Sequence, residues 1–223
     1  MSLLVGAGRL RLAGVLVVAA AIAALIAAYV VFLTHGPKPY RPAATGPAVD
    51  LTLQTVAAVG PNLSPNENWV SYLIQENGKW TRSTVWTLPA NTLVHVTLYN
   101  YDGQSGLRNP FLAQARGIVG GNFTVDGKPM SHIDPDAASH TFAIPQFNVI
   151  VPILGIADDA KNQCGYAPCD PSMAHYKIQF TFRTGKKGHY RWQCFVPCAA
   201  GFVYGFGGPM QTIGYMDGFI NVV

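Results

Sequence analysis

Along the chain the spacing of apolar residues changes character once. Residues 12–33, LAGVLVVAAAIAALIAAYVVFL, run for twenty-two positions without a charge or a proline. At 1.5 Å rise per residue such a run crosses roughly the 30 Å hydrocarbon core of a bilayer, so it predicts a transmembrane helix. A cleaved signal peptide is the competing reading, but its apolar region is about 7–15 residues long and ends in small residues. This run ends in Tyr29, Val30, Val31, Phe32 and Leu33 instead. Next comes HGPKPYRPAATG, whose three prolines and two glycines predict an extended, semi-rigid linker.

From there on the pattern is one of short stretches, alternating or rich in β-branched and aromatic residues, divided by Gly, Pro and Asn. Residues 49–56, 69–73, 81–87, 92–99, 139–144, 175–182, 189–194 and 216–223 read as strands. No amphipathic helical period competes with them. The predicted fold is therefore all-β, an antiparallel sandwich or barrel carried by one N-terminal helix. Residues 1–34 form the cytoplasmic N-terminus and anchor, 35–48 the linker, and 49–223 the extracytoplasmic domain. Segments 102–138 and 154–173 are too long for hairpin turns and are predicted to be insertions.

Charge adds orientation and excludes one class. Charged residues make up only 12% of the 223 positions, against 49% hydrophobic, which rules out charge-rich disorder and coiled coil. Of the 15 basic residues, Arg9 and Arg11 precede the apolar run, where there is no acid; 13 remain against 11 acidic residues, a surplus of two. A surplus that small, without a basic run beyond Lys186 and Lys187, offers no electrostatic footprint for nucleic acid. Arg9 and Arg11 do set topology: by the positive-inside rule the N-terminus is cytoplasmic, at the plasma membrane of the cell, and the chain crosses once. A domain outside the cytoplasm can keep disulfides, and Cys164 and Cys169, close together in a Gly/Pro-rich loop, are a candidate local pair. Motifs for zinc hydrolases, serine hydrolases and nucleotide-binding loops are missing from the sequence. Asn62 and Asn122 fit the glycosylation pattern, which chance produces often.

Two other segments carry chemistry. SHTFAIPQFNV places His140 at the start of a strand, and GHYRWQCFVPCAAG ends a strand with Cys194 and Cys198, followed by GFVYGFGGPM. Over roughly residues 85–223 the chain resembles the cupredoxins, and within them the copper domain of subunit II of haem-copper oxidases, cytochrome c oxidase among them. The stretch from His140 to Phe147 is similar to that family's His-Ser/Thr-Phe-x-Ile-Pro-x-Phe. The stretch from Gly188 to Cys198 is similar to its Gly-x-Tyr-x-x-Gln-Cys-x-x-x-Cys. A single N-terminal helix occurs in some members. The resemblance implies a cupredoxin-like antiparallel Greek-key β-sandwich that binds copper, in a mononuclear or a binuclear site. His140 would be one ligand, Cys194 and Cys198 the thiolates, the backbone carbonyl of Val196 another donor, and Met210 the thioether. Soft thiolate with imidazole and thioether suits copper cycling between oxidation states.

The same resemblance implies a role in the respiratory chain. The chain would take electrons from an external donor, cytochrome c or another small redox protein, and pass them to a catalytic haem-copper oxidase subunit in the membrane, without performing catalysis itself. The sequence departs from the family where it has Phe202 and Gly205 in place of a second histidine and a methionine. A copper-free structural or assembly subunit therefore stays open, with Cys194 and Cys198 joined as a disulfide and His140 a hydrogen-bonded core histidine. So does a copper-delivery protein. His132 is a candidate to replace the missing histidine. His189, an odd offset from Cys194, points away from it on an extended strand. His95 and His175 read as packed or surface residues, His35 as linker, and Met173 and Met216 as packing. Trp192 reads as a shield over the site or as a plain core tryptophan.

Overall fold

The computed structural model describes residues 2–34, 39–42, 44–45, 47–198 and 208–223. His35, Phe202 and Gly205 lie outside these residues. The chain divides into two compact units, Met1–Gly36 and Pro37–Val223.

The first unit is a helix, α1 (Ser2–Thr34), whose stretch Leu12–Val31 has mean hydropathy 2.7. It is long and apolar enough to cross a membrane, a criterion that a signal sequence also meets.

The second unit is built from strands. In chain order they are β1 (Ala44–Thr45), β2 (Ala48–Val56), β3 (Ser71–Glu76), β4 (Lys79–Thr81), β5 (Val85–Leu88), β6 (Leu93–Asn100) and β7 (Phe123–Val125). There follow β8 (Lys128–Met130), β9 (Ala138–Ile144), β10 (Val149–Leu154), β11 (Tyr176–Arg183), β12 (Gly188–Gln193) and β13 (Asp217–Val222). One sheet has the order β4-β3-β2-β6-β11-β7-β8, with β1 on β2; the other has the order β10-β9-β12-β13-β5. Both contribute to a single buried cluster, with Leu51, Val96, Leu98 and Phe182 from the first sheet and Trp86, Phe142, Val151, Trp192 and Ile220 from the second. This is a β-sandwich of two sheets over one core, as expected from the sequence.

The pairing is not purely antiparallel. Strand β2 runs parallel to β6 in register Leu51 to Val96, and β13 runs parallel to β5 in register Phe219 to Val85. Alternation along a strand says which residues face the core, as in β6, where Val94, Val96 and Leu98 are buried and His95 is exposed. It does not say which strand lies alongside. The expected strand over 81–87 divides into β4 and β5, and the expected strand over 69–73 moves to Ser71–Glu76. Strand β10 went unread because Pro152 interrupts it. It lies at a sheet edge, where a residue without an N–H is tolerated.

The two insertions are tied to this frame. Within 102–138, Asp126 and Gly127, both at positive φ (49° and 80°), turn β7 into β8, and β7 extends the larger sheet beside β11. Within 154–173, Cys164 and Cys169 form a disulfide. The loop is fixed to β2 by buried Gln54, whose Nε2 donates to Cys169 O at 2.8 Å and whose Oε1 accepts from Cys169 N at 3.2 Å.

Between the sheets the core is aromatic. Trp86 stacks on Trp192 with ring centroids 4.5 Å apart, Trp192 meets the edge of Tyr72 at 5.0 Å, and Phe142 lies 5.5 Å from Trp192. Each polar atom in this group has a partner: Trp86 Nε1 donates to Ser83 O, Trp192 Nε1 to Thr84 O and Tyr72 OH to Thr141 O, all at 2.9 Å. The same Thr84 carbonyl lies directly beneath Gly218 of β13, where a Cβ would collide with it. Gly218→Ala is expected to destabilise the domain by about 1–3 kcal/mol through overpacking, read from denaturant unfolding followed by tryptophan near-ultraviolet circular dichroism. An unchanged midpoint would mean that this approach is looser than described.

Candidate metal centre

At one end of the sandwich β9 and β12 lie side by side, with Gln193 in register with Ala143. His140 is the third residue of β9, on the same face as Phe142 and Ile144, and is 1% exposed. Cys194 follows the last residue of β12, its N–H donating to Met216 O at 3.0 Å. The chain then turns back so that Cys198 faces Cys194. Thr141 stitches this turn to β9: its N–H donates to Cys194 Sγ at 3.4 Å, and its buried Oγ1 accepts from Phe195 N at 2.8 Å.

The donor atoms converge. His140 Nδ1 lies 3.1 Å from Cys198 Sγ and 3.9 Å from Cys194 Sγ, and the two sulfurs, of cysteines not joined by a disulfide, are 2.9 Å apart. All three atoms lie within 4.8 Å of one another, the one such histidine/cysteine/carboxylate group among the described residues. The Val196 carbonyl faces both sulfurs, 2.9 Å from Cys198 Sγ and 3.4 Å from Cys194 Sγ. Met210, in a short turn over Pro209–Gln211, accepts a hydrogen bond at Sδ from Cys198 N at 3.3 Å. The five residues named from the resemblance are therefore neighbours here, although Met210 reaches the turn through the Cys198 backbone.

The other described histidines are elsewhere. His132 is exposed and bonded to Ser131, so it does not fold over the centre. His189 is exposed, bonded to Asn221 and stacked on Phe219. His95 is exposed beside Thr181, and His175 packs on Tyr99 and Tyr101. Met216 and Trp192 are core residues, and Met173 packs against the smaller cluster around Tyr101 and Tyr215.

Asp102, which the sequence did not single out, accepts a hydrogen bond at Oδ2 from His140 Nε2 at 2.9 Å. It lies 38 positions before His140, at the far end of an insertion, and no spacing marks it. Burial disfavours charge throughout this pocket, and specific contacts decide where charge remains. Burial pulls the His140 pKa down, yet its bonds to Asp102 and Cys194 outweigh this and carry it from 6.5 to about 9. Burial likewise raises Cys194, but the Cys198 thiol and the His140 imidazolium hold it well below the ordinary 9.0. Burial and the neighbouring Cys194 thiolate push Cys198 well above that value. These contacts favour charge on His140 and Cys194 and the neutral thiol on Cys198.

This donor set fits copper: two sulfurs and an imidazole nitrogen within 4.8 Å of one another, a thioether and a carbonyl adjacent, all in a largely buried site. A binuclear centre of the usual kind would need a second imidazole, which none of the described residues provides. In the reduced, metal-free chain the ultraviolet thiolate band is expected to show one thiolate at neutral pH, persisting well below 9. A band that grows in only near 9 would contradict the lowering of Cys194 by its neighbours Cys198 and His140.

No family model matches the chain, and no curated protein matches it either. Among solved structures the chain is similar to the copper protein rusticyanin, with 15% identity over 84% of this chain and 86% of that one and a TM-score of 0.36. A second structure, rusticyanin from Thiobacillus ferrooxidans, has 16% identity, the same coverage and a TM-score of 0.33. Reduced rusticyanin in solution has 18% identity, covers 86% and 84% of the two chains, and has a TM-score of 0.33. Likenesses at this level carry no argument about function, and the sandwich stands on its own strand order.

Proposed function

We propose that this chain is a membrane-anchored copper-binding electron-transfer protein, similar to subunit II of a haem-copper terminal oxidase. One observation carries the proposal: His140 Nδ1, Cys194 Sγ and Cys198 Sγ converge within 4.8 Å as free, largely buried donors. His140 and the two thiolates would hold the metal, with the Val196 carbonyl and the Met210 thioether as weaker donors. Copper bound there supplies a one-electron couple. The chain's part is to keep the donors still. His140 is fixed on β9 between β10 and β12, Cys194 is bonded to Met216 O and to Thr141 N, and the aromatic core lies directly behind. Donors held this firmly change position little between oxidation states.

In this reading an external donor, cytochrome c or another small redox protein, delivers the electron, and a partner haem subunit in the membrane receives it. The helix α1 anchors the chain to the bilayer with the sandwich outside the cytoplasm. A copper-delivery protein would use the same soft donors and is separated by exchange: it gives Cu(I) up to a chelator readily, whereas an electron-transfer centre retains it.

The test is an EPR spectrum with copper quantified in the same sample, on the full chain in detergent after reduction and copper loading. A delocalised two-copper signal or a single-copper thiolate signal supports the proposal, and Cys194→Ser is expected to abolish it while Cys164→Ser leaves it intact. A chain that takes up no copper, or one that loses colour equally in both variants, contradicts the proposal.

A further inference from the structure

The carboxylate of Asp102 is held more firmly than a loop residue needs to be. Oδ1 accepts from Gly103 N at 2.8 Å, which leaves Oδ2 for His140 Nε2 at 2.9 Å. The Asp102 carbonyl accepts from Ile156 N and from Asn100 Nδ2, each at 3.0 Å. Asn100 is itself buried at the end of β6. Its Oδ1 accepts from Thr55 Oγ1 at 2.5 Å and from Asp102 N at 3.3 Å, and its Nδ2 also donates to Leu154 O at 2.8 Å. On the other side Gly155 comes so close that a Cβ there would sit 2.6 Å from the Gly103 carbonyl. The insertion that begins at Asp102 is closed at its base by Ser105 N donating to Ala138 O at 3.0 Å, two residues before His140. Strand ends from both sheets and both insertions therefore meet around Asp102, whose side chain is only 22% exposed.

We propose that Asp102 is a positioning residue for the metal centre: by engaging Nε2 it fixes the His140 ring so that Nδ1 is the atom presented to Cys194 and Cys198. With its carboxylate anchored at Oδ1, Asp102 leaves the imidazole one orientation in which both ring nitrogens have partners. A ring turned over would set a carbon against Oδ2 and lose a hydrogen bond in a buried site. Carboxylate partners of this kind orient ligating histidines, and their removal costs about 10- to 100-fold in metal affinity. This role rests on the proposed copper site.

The experiment compares the full chain in detergent with Asp102→Ala and Asp102→Asn, using Cu(I) in competition with a colorimetric chelator and ¹⁵N NMR of the His140 ring in the Cu(I)-loaded protein. Asp102→Ala is expected to weaken Cu(I) binding about 10- to 100-fold and to shift the Nε2 resonance as its acceptor is lost, whereas Asp102→Asn, which keeps an acceptor oxygen, restores most of the affinity. Asp102→Ser, polar but too short to reach Nε2, takes the place of the alanine variant should that one not fold. Wild-type affinity and an unchanged His140 spectrum in the alanine or serine variant would overturn the role of Asp102 while leaving the copper site standing. Failure of the wild-type chain itself to bind Cu(I) would overturn both.

Discussion

The adjacency of β9 and β12 is the constraint on which the rest of this molecule depends. A single register pair, Gln193 with Ala143, sets His140 of one strand beside Cys194 just beyond the other. From that pairing the turn through Phe195, Val196 and Pro197 has only to reverse for Cys198 to reach the same point, and Thr141 holds the reversal with a bond at its backbone and another at its hydroxyl. A slip of one residue in β9 would carry His140 to the opposite face and remove the centre altogether.

The aromatic core acts on the same pairing from behind. Trp192, two residues before Cys194, is clamped between Trp86, Tyr72 and Phe142, and Phe142 is two residues after His140. Strong packing of the residues next to the donors fixes their backbone without occupying the site. Tyr72 extends the clamp, because its hydroxyl bonds the carbonyl of Thr141, the residue that also bonds the cysteine turn. Stability and site geometry thus share the same side chains, and a core change near Trp192 would be felt at the sulfurs.

A charged group in so dry a pocket is tolerable only when paired. The centre meets this condition as a chain of partners, Asp102 to His140 to Cys194, with Cys198 adding its thiol. Negative, positive and negative charge alternate along it, so no buried ion stands alone. Two chemically identical cysteines differ here because Cys194 accepts from the Cys198 thiol and the Thr141 N–H as well as lying near His140, all of which lower its pKa, whereas burial and Cys194 itself raise that of Cys198.

Period and composition in the sequence were enough for the apolar helix and for strands in a sandwich, and the resemblance to the cupredoxins named His140, Cys194 and Cys198 as candidate donors, because each of these is a local property of neighbouring residues. Local too was the Cys164–Cys169 pair, five positions apart. Pairing was not local. That β2 lies parallel to β6 and β13 parallel to β5 follows from how two sheets close over one core, which alternation along each strand leaves undetermined. Asp102 was invisible for the same reason: it reaches His140 across 38 residues, through an insertion whose two ends are drawn together by hydrogen bonds between distant segments. The sequence alone determined which chemistry the chain can hold, since residue type sets donor softness and charge. The tertiary structure decided which donors meet and in which protonation state, since both depend on distance and burial between strands far apart in the chain.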